Sequence, residues 1–329
     1  MHLSIAEAES LVAGALERSK VSATNARSVS LALVAAEAAG QGGHGLRRVP
    51  AYAAQSKAGK VDGFAEPSLS RPTAAGLRID AAHGYAYPAL DLAVKELPAI
   101  TRSQGIAFAA LNRSHHAGVM GLTVERLADE GLVAMMFANA PASMAPWGGK
   151  VPLYGTNPIA FATPLPDADP LVIDLALSKV ARGKIMAAHQ KGAAIPADWA
   201  FDRDGRPTTD AGEALEGTMM PAGEAKGAAL ALMVEILAAS LTGANHAFEA
   251  TSLFDDNGPP PGLGQLIITI DPAAVSGRNT AARLNLLASQ ITSDPGARLP
   301  GRRGQNARRD AITNGLSVED DVIEAIGKL

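Results

Sequence analysis

Polar and apolar positions change period several times along the chain, and each change marks an element. Ser4-Ile5-Ala6-Glu7 has the spacing of a helix capping box, and Leu11, Val12, Ala15 and Leu16 follow at helical intervals. A second helical pattern covers 24–39. Unbroken apolar runs at 105–111 and 132–138 read as buried strands, with a helix over 119–130 between them. That order predicts a strand–helix–strand unit with parallel strands and a right-handed crossover. Further apolar runs at 158–163, 171–175 and 265–270 predict strands. The stretch 224–242 is apolar nearly all round, which predicts a long central helix. Residues 200–210 are dense in turn formers, 259–262 is a stiff Pro-Pro-Pro-Gly loop, and the basic tail 301–309 precedes a final amphipathic helix. Strands interleaved with helices predict an α/β (α+β) class built on a mixed sheet.

Composition narrows the function classes. The 329 residues are 47% hydrophobic and 19% charged, which supports a large core and argues against disorder. The net charge of -4 gives no reason to expect a nucleic acid or a membrane surface as partner. There is no cysteine, so disulfides, thiolate metal sites and a cysteine nucleophile are excluded. The first residues carry no basic-then-apolar signal pattern, and Glu235 interrupts the longest apolar run. A cytoplasmic protein without membrane spans is the expectation.

The chemistry concentrates in Gly40-Gln41-Gly42-Gly43-His44-Gly45-Leu46-Arg47-Arg48. An imidazole moves protons near neutral pH, and a guanidinium holds a carboxylate by two parallel hydrogen bonds. His44 and Arg48 therefore read as a proton donor beside a carboxylate anchor, against the alternative of a turn with a solvated arginine. Gly40, Gly42 and Gly45 spell the dinucleotide fingerprint G-x-G-x-x-G, but they follow a helix where that motif needs a preceding strand. A Rossmann site is set aside. His115 and His116 lie where a strand gives way to a helix, a place suited to a ligand phosphate. Adjacent histidines do not converge on a metal, and none is expected. Thr156 in Gly155-Thr156-Asn157-Pro158, Asp174 at a strand end, the basic run Lys179 to Lys184, Lys226 at a helix start, and Arg302 and Arg303 complete the candidate ligand positions. For the basic run, a solvated helix face is the alternative.

The motifs GHGLRRVPAY, SHHAG, GTNPIAFATP, DLALSKVARGKI, GRPTTD and AKGAALALMVEILAASLTGA occur in order over nearly the whole chain. Together they resemble the malate/L-lactate dehydrogenase-type oxidoreductases, a family distinct from the Rossmann dehydrogenases. Within it the chain is similar to the delta-1-pyrroline-2-carboxylate/delta-1-piperideine-2-carboxylate reductases and to the dehydrogenases of malate, lactate, ureidoglycolate or sulfolactate. The resemblance implies a homodimer and a non-Rossmann nicotinamide-binding domain over 119–274, inserted between 1–118 and 275–329. It implies His44 as proton donor, with Arg48 and Thr156 binding substrate. It implies a cofactor lined by His116, Ala117, Gly118, Val119, Met120, Asp174, Leu175, Ala176 and Lys226, with 300–307 at the adenosine end. Arg302 and Arg303 beside a 2′-phosphate lean the choice to NADPH over NADH.

One departure stands out. The family pattern has serine before this histidine, as a charge relay, and this chain has Gly43. A cyclic imine arrives already protonated and needs less acid help than a ketone, so Gly43 leans the reading to an imino-acid reductase. A 2-hydroxy-acid dehydrogenase is the second reading. A cofactor-binding protein that has lost catalysis is the third.

Overall fold

The computed structural model describes residues 1–276 and 279–329. Its centre is a seven-stranded mixed sheet. The strands of this sheet are β1 (Ser68–Thr73), β2 (Gly76–Asp80), β3 (Ile106–Ser114), β4 (Val133–Ala138), β5 (Ile159–Leu165), β6 (Ala168–Leu175) and β7 (Leu263–Ile270), in the spatial order β1-β2-β3-β7-β4-β5-β6. Only β2 and β3 pair in parallel; every other neighbouring pair is antiparallel. The expected α/β (α+β) class with a mixed sheet is what the chain adopts.

The expected parallel neighbours at 105–111 and 132–138 do run in the same direction, but they do not touch. β7 lies between β3 and β4, with Ile267 opposite Ala109 on one side and Met136 on the other. The true parallel unit comes one step earlier, where helix α4 (Ala86–Gln104) carries the chain from β2 to β3. A parallel pair requires such a crossover.

The period-2 alternation of the strands divides the core in two. Ala107, Ala109, Leu111 and Ile267 face a cluster shared with α1 (Ile5–Glu17), α2 (Ala23–Ala38), α4 and α5 (Met120–Asp129). Leu266, Ile268 and Ala110 face a second cluster with Ala231, Val234 and Ala238. The capping box at Ser4 is complete: Ser4 Oγ accepts from the Glu7 N–H, and the Ser4 N–H donates to Glu7 Oε2 at 2.7 Å.

The expected central helix at 224–242 is a composite on one side of the sheet. It is α-helical over Ala225–Glu235 and continues as a π-helical turn over Ile236–Ser240. Ala231, Val234 and Ala238 are buried, while Leu230, Leu232, Met233, Ile236 and Leu241 are exposed. An all-round apolar sequence here covers the core with one face and leaves the other bare. The basic tail is helical as well, over Arg302–Asn314. Among the described residues no helix is long and apolar enough to cross a membrane.

Candidate active site

α2 ends at Ala38, and two short 3-10 turns, Gly42–His44 and Leu46–Arg48, lead into helix α3 (Val49–Ala58). Glu37 of α2 shapes this corner by accepting the Leu46 N–H at 2.9 Å on Oε2. A Cβ on Gly45 would lie 2.3 Å from that oxygen, so Gly45 serves the turn and not a pyrophosphate. Pro50 sits at the start of α3, where its missing N–H costs nothing. Arg48, Tyr52 and Gln55 then recur at i, i+4 and i+7 and form one buried polar stripe.

His44 meets a residue 72 positions away. Its Nδ1 lies 3.1 Å from His116 Nε2, with the rings stacked at 5.1 Å. His116 Nδ1 lies 2.7 Å from the Tyr52 hydroxyl, which lies 3.3 Å from the Tyr87 hydroxyl. The four groups form one row in which every proton can point either way. With His44 Nδ1–H donating to His116, His44 Nε2 carries a lone pair and is a base. With the row reversed, His116 Nε2–H donates and His44 Nε2–H is an acid. Burial, then the Arg48 cation, lower the His44 pKa to about 4, so at neutral pH the ring is uncharged. Burial first, and Arg48 next, hold His116 well below the usual imidazole range.

Arg48 is 6% exposed. Its Nη2 donates to the Leu253 carbonyl at 2.9 Å, and its guanidinium lies 4.7 Å from the Phe254 ring centre and 5.6 Å from that of Tyr52. Its buried Nε has no partner among the described residues. An orphaned donor on a buried cation is costly alone and fits an incoming carboxylate.

The remaining candidates fall in three places. Gly118 has φ +65, and a Cβ there would strike the Tyr87 hydroxyl at 2.6 Å, which ties the His116–Met120 loop to the row of rings. The next helix, α5, starts with no side-chain cap; Gly121 N–H is held by Asp174 Oδ2 at 2.7 Å. Leu177 N–H donates to the Thr156 carbonyl at 2.8 Å, which sets Thr156 beside the loop that follows Leu175 and Ala176. Ala222 N–H in turn donates to the Leu177 carbonyl, and Lys226 begins the next helix and lines a cleft with Lys179 and Asp198. Lys179 is paired with Asp198 at 2.6 Å and Arg182 with the Leu215 carbonyl, so these two cations of the basic run are engaged by protein.

Arg302 is engaged too. Its Nη1 lies 3.1 Å from Asp169 Oδ2, at the far end of β6 from Asp174. Five residue steps along the strand separate those two aspartates by about 17 Å. Arg303 is exposed. Sequence reasoning missed Tyr52, Tyr87, Gln55, Lys60 and the segment Ser252–Asp255. The signal available for the first group was the polar stripe at helical spacing within α3.

Gly43 is open: an added Cβ meets nothing within 4 Å. Because His116 already orients His44, Gly43→Ser is expected to leave turnover within about threefold, against the roughly 10²–10⁴-fold attached to an oriented acid–base group. A larger gain in kcat would show that the missing hydroxyl limits this chain.

His115 is 1% exposed, and neither ring nitrogen has a partner among the described residues. It packs edgewise on Tyr52 and Tyr85, and burial, then Arg48 and Lys60, lower its pKa to about 3. A histidine depressed in the folded state stabilises fully above its unfolded pKa, and that contribution is lost as pH falls toward the folded value. Each such ring costs up to about 1.4 kcal/mol per pH unit below ~6.5. The melting temperature is expected to drop steeply between pH 6 and 4.5; a flat profile there would refute the buried neutral histidines.

A family model described as malate/L-lactate dehydrogenase matches residues 3–327. The chain belongs to the malate/L-lactate dehydrogenase family, and so to the oxidoreductases. It is 50% identical over 310 residues to a (2R)-3-sulfolactate dehydrogenase (NADP(+)) of Chromohalobacter salexigens, covering 94% of this chain and 92% of that one. It is 39% identical to a Delta(1)-pyrroline-2-carboxylate/Delta(1)-piperideine-2-carboxylate reductase of Pseudomonas putida, covering 98% and 95%. The structure of delta1-piperideine-2-carboxylate reductase from Pseudomonas syringae pvar. tomato superposes with a TM-score of 0.94 at 35% identity, over 100% of this chain and 99% of that one.

Proposed function

We propose that this family member is an NADP(H)-dependent 2-hydroxy-acid dehydrogenase, with (2R)-3-sulfolactate and 3-sulfopyruvate as the first pair to test. The observation that carries the reading is the row His44–His116–Tyr52–Tyr87 beside the orphaned Arg48 Nε. Oxidising a hydroxyl requires a base for its proton, and a neutral His44 with Nδ1–H turned to His116 is that base. Reducing a protonated cyclic imine requires no proton transfer at nitrogen in the same step, so such a row is superfluous there. Gly43 favours the imine only if His44 lacks another orienting partner, and His116 is one. The 50% identical sulfolactate dehydrogenase supports the same substrate.

In this reading Arg48 fixes the substrate carboxylate, His44 holds or returns the proton at the oxygen on C2, and Thr156 closes the other side. NADPH, when bound, supplies the hydride to C2. The chain's residues fit a dinucleotide phosphate: Lys226 lines an open cleft, and Arg303 stands exposed. The bare apolar face of the 225–240 helix supports a homodimer, which light scattering tests directly.

The second reading, a cyclic imino-acid reductase, is supported by the 39% identical reductase and by the 0.94 superposition. Loss of NADPH absorbance with 3-sulfopyruvate, malate- and lactate-derived 2-oxo acids and pyrroline-2-carboxylate decides between them. Turnover confined to the imine overturns the hydroxy-acid reading. A higher kcat/KM with NADH overturns the cofactor choice.

A further inference from the structure

The segment Ser252–Asp255 comes from a distant part of the chain, yet three side chains of the Arg48 region hold it. Lys60 Nζ, 1% exposed, donates to the Ser252 carbonyl at 2.7 Å and the Asp255 carbonyl at 3.0 Å, and pairs with Asp255 Oδ1 at 3.4 Å. Gln55 Nε2 donates to the Asp255 carbonyl at 2.9 Å, and Arg48 Nη2 donates to Leu253. A buried lysine surrounded by acceptors fixes a loop more firmly than surface contacts do. The loop thereby sets Phe254 over the guanidinium at 4.7 Å, while leaving that ring 48% exposed.

The Arg48 guanidinium thus lies 5.6 Å from the Tyr52 ring centre and 4.7 Å from that of Phe254, and Leu253 uses Nη2. A carboxylate that pairs with this guanidinium must approach from its solvent side, since the unpartnered Nε is itself buried. The rest of the substrate must then extend away from the guanidinium into free space. Tyr52 is fully buried and offers no room, whereas the Phe254 side opens to solvent.

We infer that Phe254 is a specificity-determining residue whose ring borders the C3 substituent of the substrate, and that the Lys60-fastened loop exists to place it. The inference rests on Arg48 being the carboxylate clamp. An apolar wall of fixed position limits the size of the group at C3, and one methylene more or less in such a pocket changes kcat/KM by roughly 10–200-fold.

The test is a pair of substrates of one class that differ only in bulk: pyruvate against 4-methyl-2-oxopentanoate, and pyrroline-2-carboxylate against piperideine-2-carboxylate. In Phe254→Ala the kcat/KM ratio of the larger to the smaller member should rise at least about tenfold. Phe254→Tyr, which keeps the flat wall, should preserve the wild-type ratio. An equal change for both members of each pair, or none, overturns the assignment, because a ring that only stacks on Arg48 affects every carboxylate alike. Arg48→Lys run in parallel separates the two failures. A raised KM there with an unmoved Phe254 ratio removes this inference alone; an unchanged KM removes the clamp and this inference with it.

Discussion

Turnover of His44→Ala should fall by roughly 10²–10⁴-fold while the dinucleotide still binds. The ring is the only member of the row with a nitrogen, Nε2, that makes no hydrogen bond to the described residues, so within the row it is the nitrogen available to a substrate proton. His116 lies behind it and cannot substitute without moving. The pH profile carries the sign of the assignment. Oxidation of the hydroxy acid needs neutral His44, and its pKa is about 4 in the free protein. Oxidation should therefore hold its rate on acidification until about pH 5 and fall below that. Reduction takes a proton from solution and should slow as pH rises. A bound carboxylate neutralises the Arg48 charge, which is one of the two causes of the depression, so kcat should titrate at a higher pH than kcat/KM. Near-normal turnover in His44→Ala, judged by stopped NADPH absorbance, would end the acid–base assignment.

Arg48→Ala should raise KM for the carboxylate substrate by roughly 30- to several-thousand-fold, the equivalent of about 2–5 kcal/mol for one partner of a buried, hydrogen-bonded charge pair. kcat should change less, because Arg48 reaches the row only at Tyr52 and not at His44, the group that moves the proton. The variant also removes a donor to Leu253 and a cation between two aromatic rings, so circular dichroism and a melt must accompany the kinetics. Arg48→Lys keeps the charge and loses the fork; an intermediate KM is expected, since a point charge reproduces only part of a bidentate contact. An unchanged KM in both variants would place the carboxylate elsewhere.

The two helices at the start of the chain were legible because a capping box and helical spacing act locally. β4, β5 and β7 were legible because a strand largely buried on both faces is apolar nearly throughout, and the edge strand β6 showed through its short apolar run Leu171–Ile173. β1 and β2 were not: Ser68–Thr73 is polar, carries Pro72 and lies at the sheet edge, where no apolar pattern is required. α4 was hidden by Pro98 inside it. At the site, the proximity of His44 to Arg48 could be read from four residues of sequence. The meeting of His44 with His116, and of Lys60 with Ser252 and Asp255, could not, because both depend on segments brought together by the sheet. For the same reason Arg302 read as a free cation, and only the fold supplies Asp169 as its partner.

The place of β7 in the sheet has a consequence for how the chain is made. β7 is the middle strand, yet it is the last of the seven to emerge: Leu263 lies 125 positions after Ala138, the end of β4. During synthesis, β3 and β4 each wait with an unpaired edge until β7 arrives to bridge them, and such edges template aggregation. The contacts that finish the sheet span long stretches of sequence, which slows folding relative to a protein built from local pairs. The Ser252–Asp255 loop, which Lys60 holds and which carries Phe254, arrives in that same late portion, shortly before the bridging strand. The loop fastened beside Arg48 and the centre of the sheet are thus completed together, and an incomplete chain has neither.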